Sequence, residues 1–250
     1  MFTDTHCHLY KEYYENLEEI LNHAYENKVN RFIVAGCEEA SNKEVFNLVQ
    51  EYKNIYGCVG IHPEEALTYK NNDLEEMEKS LNSDKIVAIG EIGLDYHYDK
   101  DNKELQKKLF IKQLEMAQKY QKPVVIHSRD ATQDTIDILK EYPMIKGVIH
   151  SFSGSLEVAK IYINMGYKLG INGVVTFKNS HLKELLPEIK NNIVLETDSP
   201  YLTPHPYRGT PNEPKYIFNI ASFVSDYLDI SLEELARITN KNIMSIFDIQ

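Results

Sequence analysis

His6 and His8 stand two residues apart in the run FTDTHCHLY, Phe2 to Tyr10. The run has strand character, and side chains of a strand alternate between faces, so both imidazoles point one way and Cys7 the other. Neutral imidazole is the commonest protein metal ligand. Alone, the pair would read as accidental histidines near a terminus; with further ligands it is half of a metal site. Candidates recur at the ends of later apolar runs: His62 after VGI, Glu91 and Asp95 in GEIGLD, His127 after PVVI, His150 after GVI and Asp198 after IVLET. Singly, each has a plain structural reading: a hydrogen-bonded core histidine, a turn cap, or a turn former before Ser199 and Pro200. Their coincidence at the ends of successive strands carries the argument. His6, His8, His127, His150, Glu91 and Asp198 form a nitrogen and oxygen donor set without thiolate, which suits Zn, Mn, Ni or Fe better than Mg. Six ligands exceed one tetrahedral zinc site. A two-metal site explains the excess, with a carboxylate such as Glu91 able to bridge ions roughly 3.5–4 Å apart. Two carboxylates leave two divalent ions under-neutralised, so the site would attract an anionic group such as phosphate and acidify bound water.

The elements that must position these residues follow from hydrophobic periodicity. Strands are expected at Phe2–Thr5, Arg31–Ala35, Ile55–Gly60, Lys85–Gly90, Pro123–Ile126, Gly147–Ile149, Tyr167–Ile171 and Asn192–Glu196. Helix-period segments lie near Leu17–Asn27, Asn42–Tyr52, Leu74–Leu81, Lys103–Tyr120, Thr132–Glu141, Leu156–Met165 and His181–Leu186, with Tyr216–Tyr227 and Leu232–Phe247 after the eighth strand. Strands alternating with helices argue for parallel β/α units, and eight in 250 residues fit a single-domain (β/α)8 barrel over 1–250. An open doubly wound sheet fits less well, because the polar groups end many strands rather than one crevice. In a barrel all of them lie at the C-terminal rim, where active sites are built. The segment Ser199–Pro214 carries five of the nine prolines, a stiff irregular loop for which a substrate-facing role is expected over a merely covering one.

A formal net charge of −11 argues against non-specific duplex binding through a broad basic surface. Cys7, Cys37 and Cys58 are an odd, scattered set lying in apolar runs, read as buried thiols of a reducing cytosol. The start MFTDTHCH has no basic and apolar leader pattern, and no apolar run reaches membrane-spanning length, so a cytoplasmic protein without membrane contact is expected.

The motifs DTHCHL (4–9), GIHPE (60–64), GEIGLDY (90–96), PVVIHSRDA (123–131), GVIHSFSG (147–154), GINGVVTFKN (170–179) and LETDSPYLTPHPYRG followed by NEP (195–214) occur in this order. With them the chain resembles the TatD family of metal-dependent deoxyribonucleases, within the amidohydrolase-like barrels, over essentially its whole length. The resemblance implies that His6, His8 and Asp198 hold one ion, that His127 and His150 hold the other, and that Glu91 bridges them. It makes Asp198 the general base, puts His62 on the scissile phosphate or just behind it, and gives Arg208 a phosphate grip suited to a guanidinium fork. Two divalent cations (Mg, Mn or Zn) are the implied cofactors. The implied activity is 3′–5′ exonuclease action on DNA by a monomer, with RNA or aminoacyl-tRNA as further family substrates. Three positions depart from the family pattern. Tyr10 stands where an acidic residue is usual, which alters the rim rather than a ligand; Thr210 and Pro211 follow Gly209 where a basic residue is frequent; and His205 replaces a commonly apolar residue.

The expected reaction is in-line attack of activated water on a phosphodiester, with Asp198 taking the proton and Arg208 and His62 holding the phosphate. Tyr201 or Tyr207 could stack on a base or simply pack the loop. Asp95 could orient a ligand or serve a turn. Arg129 could pair with substrate or an acidic neighbour, and Lys178 is a weaker phosphate candidate. Two rivals are an amide, ester or aminoacyl-tRNA hydrolase using the same ligands, and a metal-binding scaffold without catalysis. The scaffold is disfavoured because no ligand position is missing.

Overall fold

The computed structural model describes residues 1–97 and 101–249. Eight strands alternate with helices: β1 Phe2–Cys7, β2 Val29–Ala35, β3 Ile55–Val59, β4 Ile86–Asp95, β5 Val124–Arg129, β6 Gly147–Ile149, β7 Lys168–Ile171 and β8 Ile193–Leu195. The helices are α1 Leu17–Glu26, α2 Glu39–Glu51, α3 Asn71–Ser80, α4 Lys103–Tyr120, α5 Thr132–Lys140, α6 Leu156–Asn164, α7 Leu182–Ile189, α8 Ile217–Leu228 and α9 Leu232–Phe247. The strands follow one another in one sheet in chain order, and the strand pairs β1–β2, β3–β4, β4–β5, β5–β6 and β7–β8 are parallel.

The chain groups into two compact units. The first comprises residues 1–34, 151–164 and 168 onward, with β1, β7, β8, most of β2, and α1 and α6–α9. Its core is built on Phe2, Phe32, Ile33, Leu169, Val194 and Leu195 from the strands, covered by Ile220, Val224, Leu235 and Ile243 from α8 and α9. Ser231 caps α9 by accepting a hydrogen bond from the Glu234 backbone N–H at 3.1 Å, which satisfies an otherwise orphaned donor of the first turn. Asn16 does the same for α1 through Glu19.

The second unit comprises residues 35–150 and 165–167, with β3–β6 and α2–α5. Every residue of β4 is buried, as befits a parallel strand covered on both faces. Gly93 permits its close pairing with β5: its φ is +143°, and a Cβ there would lie 2.0 Å from the His127 carbonyl oxygen. Lysines secure the opposite, N-terminal ends of these strands. Lys85 donates to the carbonyls of Tyr52, Lys53 and Ile55, and Lys122 to that of Ile86 at 2.7 Å.

Several strands run further than hydrophobicity indicates. β1 reaches Cys7, β4 reaches Asp95 and β5 reaches Arg129, so His6, Glu91, Asp95 and His127 lie within strands rather than in the loops after them. The polar residues conceal these extensions, because the outer strand turns carry the chemistry. α7 includes Pro187, beyond the expected end at Leu186. Cys7 and Cys58 are buried as expected, whereas Cys37 follows β2 and is only half-buried. No helix among the described residues is long and apolar enough to cross a membrane.

Candidate functional site

In the first unit, β1 and the segment after β8 bring His6, His8 and Asp198 together. The Asp198 N–H donates to the His6 carbonyl at 2.9 Å and the His8 N–H to the Ser199 carbonyl at 2.8 Å, extending the β1–β8 alignment past the strands. Asp4 locks the same junction. Its buried carboxylate accepts from the Thr197 backbone N–H at 2.9 Å, the Thr197 hydroxyl and the His6 N–H at 3.3 Å. Burial pushes the Asp4 carboxyl up to about 8, against the lowering effect of these donors. Asp198 takes a left-handed backbone (φ +58°), a conformation that Asp tolerates better than most side chains, and thereby turns its carboxylate toward the two imidazoles. Its Oδ1 lies 3.7 Å from His6 Nε2 and 3.4 Å from His8 Nε2.

In the second unit Glu91, His127, His150 and His62 converge. Glu91 Oε1 lies 2.8 Å from His127 Nδ1, 3.7 Å from His62 Nε2 and 3.8 Å from His150 Nε2. His62 caps the short helical turn Pro63–Leu67: its Nδ1 accepts from the Glu64 N–H at 3.3 Å, which leaves the proton on Nε2, the nitrogen facing Glu91. His127 spans two carboxylates, with Nε2 at 2.9 Å from Asp95. Burial alone would lower its pKa, but the bonds to Asp95 and Glu91 outweigh it and hold the imidazole at about 9. Burial likewise works to raise the Asp95 carboxyl, and the His127 bond with the His97 N–H bond keeps it below its ordinary range. Asp95 thus holds the His127 ring through Oδ2 while its Oδ1 accepts from the His97 N–H, so it serves both the histidine and a turn.

Both clusters fit a divalent ion. Donors bonded to one ion at ~2.0–2.2 Å stand roughly 3–4 Å apart, wider than a hydrogen bond. The Asp198–His6 and Asp198–His8 separations, and that of Glu91 from His150, fall in that range. Three donor atoms in each of the groups His6–His8–Asp198 and His62–Glu91–His127 lie within 4.8 Å of one another. Imidazole with carboxylate is a donor set for Zn or Mn.

Arg208 is exposed at the tip of the proline-rich loop with its guanidinium 3.8 Å above the Phe177 ring, a cation–π contact that presents its edge to solvent. Tyr207 packs on Tyr216 at 4.7 Å, whereas Tyr201 is half-exposed and lies edge-on to His8 at 6.1 Å. His205 is exposed, with its N–H bonded to the Thr176 hydroxyl.

Sequence reading misses a set of buried amides that hold the site backbone. Asn42 accepts from the Gly60 N–H and donates to the Gly60 carbonyl; Gln113 does the same for Ile61, and Gln106 for Asp95. Each amide imitates a neighbouring strand where the ladder stops. Asn212, fully buried, donates to the carbonyls of Thr197 and Tyr201 and anchors the proline-rich loop. The one sequence signal is a polar residue on an apolar helix face: Gln106 and Gln113 share the buried stripe of α4 with Leu109, Phe110, Leu114 and Ala117.

A parallel sheet of eight β/α repeats bearing histidine and carboxylate clusters at the strand ends defines a metal-dependent hydrolase on a (β/α)8 barrel. The chain belongs to the TatD-related DNase family, whose model matches residues 3–248. It is 41% identical over 254 residues to the metal-dependent hydrolase YabD of Bacillus subtilis, covering 100% of both chains, and 31% identical to the metal-dependent hydrolase YcfH of Escherichia coli over 98% of this chain and 95% of that one. The crystal structure of YjjV, a TatD homologue from Escherichia coli, superposes with a TM-score of 0.94 at 29% identity, covering 100% of this chain and 98% of the other. The names of these relatives specify no substrate.

Proposed function

We propose that this hydrolase cleaves phosphodiester bonds of DNA, shortening a strand from its 3′ end. The observation that carries the reading is the His6–His8–Asp198 cluster, a metal ligand set with a carboxylate able to move a proton, in a chain of the TatD-related DNase family. In this reading His6, His8 and Asp198 hold one ion and His127, His150 and Glu91 the other; bridging by Glu91 rests on the family resemblance alone. Bound divalent ions supply Lewis-acid polarisation of a phosphoryl oxygen and lower the pKa of water. The remaining work falls to the side chains. Asp198 accepts the proton of the attacking water. His62, with its proton on Nε2, donates a hydrogen bond to a phosphate oxygen. Arg208, stacked on Phe177 and so limited in rotamers, presents its N–H edge to the backbone phosphate. Asp95 fixes the orientation of His127. The reading takes the chain as one barrel domain acting as a monomer in the cytoplasm, with Mg, Mn or Zn as the ions and nucleic acid as the partner.

The test uses metal-stripped protein, single-stranded DNA labelled at the 3′ or 5′ end, and added Mg²⁺, Mn²⁺ or Zn²⁺. Stepwise loss from the 3′ end that requires metal, with Asp198→Asn slower by about 10²–10⁴-fold, is the expected result. Absence of cleavage with every metal, in protein that has bound ions, overturns the DNA reading and turns attention to aminoacyl-tRNA and small esters.

A further inference from the structure

Tyr10 follows the paired histidines and is buried, with only 6% of its surface exposed. Its hydroxyl oxygen lies 3.2 Å from His8 Nδ1, and the two rings are 5.5 Å apart at 58°. The other nitrogen of His8, Nε2, faces Asp198 Oδ1 at 3.4 Å. A neutral imidazole has one protonated and one lone-pair nitrogen, so a partner on one nitrogen decides what the other can do.

We propose that Tyr10 is a positioning residue that makes His8 an Nε2 ligand: the Nδ1–H donates to the Tyr10 oxygen, and the Nε2 lone pair is left for the ion shared with His6 and Asp198. Ligand histidines commonly give their second N–H to a carboxylate, a carbonyl or water. Here the acceptor is a neutral phenol. It fixes the tautomer and the ring plane without adding negative charge, so His8 donates less electron density than a carboxylate-backed histidine and the ion remains the stronger Lewis acid.

The surroundings hold Tyr10 to this task. The N–H groups of Tyr13 and Tyr14 donate to the Tyr10 carbonyl at 3.0 and 3.1 Å, closing a turn that fixes its backbone. Tyr13 packs its ring 5.8 Å from that of Tyr10 and shares a 2.8 Å hydroxyl contact with Tyr201, whose ring stands edge-on to His8. Tyr10 therefore acts on Nδ1, while Tyr13 and Tyr201 confine the rings from outside. The inference rests on His8 being a metal ligand, as the proposed function takes it to be.

The test compares wild type, Tyr10→Phe and Tyr13→Phe, all labelled with ¹⁵N-histidine and loaded with diamagnetic Zn²⁺. Long-range ¹H–¹⁵N spectra locate the His8 proton, and zinc titration calorimetry gives affinity. Wild type should carry the proton on Nδ1, exchanging slowly with water. Tyr10→Phe should exchange that proton faster and weaken one class of zinc site by about 10–100-fold. Tyr13→Phe, which loses the outer hydroxyl contacts to Tyr201 and Glu12 but none to His8, should match wild type in both. A wild-type His8 protonated on Nε2 overturns the proposal whatever the variants do, and so does unchanged zinc affinity in Tyr10→Phe. If wild type takes up no zinc, the ligand reading itself falls, an outcome distinct from failure of the Tyr10 role alone.

Discussion

Three histidines of the candidate site are each contacted by a residue that is not itself a candidate ligand. Asp95 holds Nε2 of His127, Tyr10 faces Nδ1 of His8, and Glu64 sets the tautomer of His62 through its backbone. Such partners cost little in the fold and decide which lone pair points where. Asp95→Ala should therefore lower metal affinity by about 10–100-fold while the protein stays folded, as read by calorimetry with Mn²⁺ or Zn²⁺ beside circular dichroism. Unchanged affinity would reduce Asp95 to a turn residue. Asp4 works one step further back, tying β1 to Thr197 so that His6 and Asp198 meet.

Where the strands end, elements are joined by amides rather than by longer ladders. The backbone groups of Gly60, Ile61 and Asp95 are buried and must find partners. α2 and α4 supply them through Asn42, Gln113 and Gln106, each of which binds an N–H and a carbonyl of the same residue. Gln113→Leu keeps the volume and abandons both groups of Ile61. Leaving a buried donor and acceptor unsatisfied costs about 1–3 kcal/mol each, so a loss of roughly 2–6 kcal/mol is expected in urea unfolding. Because Ile61 adjoins His62, the variant should also weaken the hold on substrate phosphate proposed for that histidine. A loss below ~1 kcal/mol would mean that water replaces the amide.

At the scale of the whole molecule, metal and protonation both enter stability. A ligand that binds only the folded chain stabilises it by about 2.7 kcal/mol at a hundredfold excess over Kd. Mn²⁺ or Zn²⁺ should accordingly raise the melting temperature of chelator-treated protein, and Asp198→Asn should blunt the rise. An unchanged melting temperature would refute both ligand clusters. Protons act elsewhere. Burial pushes the Lys122 ammonium below the usual lysine range, whereas the unfolded chain titrates near ~10.4. Between those two values the unfolded chain binds more protons, so the contribution of Lys122 to stability rises with pH across that window. Lys122→Met lacks this rise. Its deficit relative to wild type should widen from neutral pH to pH ~10, as measured by denaturant midpoints. With a net charge of −11, the proposed hold on nucleic acid would fall to local groups such as Arg208.

The sequence by itself determined the order of strands and helices, because a period of two and a period near 3.6 are written into local hydrophobicity. It also determined the candidate histidines and carboxylates, because HxH spacing and a polar residue of ligand type at the end of several strands are local facts that a parallel β/α order turns into one list. Strand ends were not legible. β1, β4 and β5 continue through His6, Glu91 and His127, where polar residues break the apolar pattern although the backbone still pairs. The partners were not legible either. The bond of Tyr10 to His8, of Asp95 to His127, of Asp4 to Thr197 and of Asn212 to the proline-rich loop depends on which backbone or ring nitrogen lies within hydrogen-bonding reach. Three of these pairs are separated by more than ten residues in the chain, and only tertiary packing brings them within about 3 Å, the range at which a proton is shared.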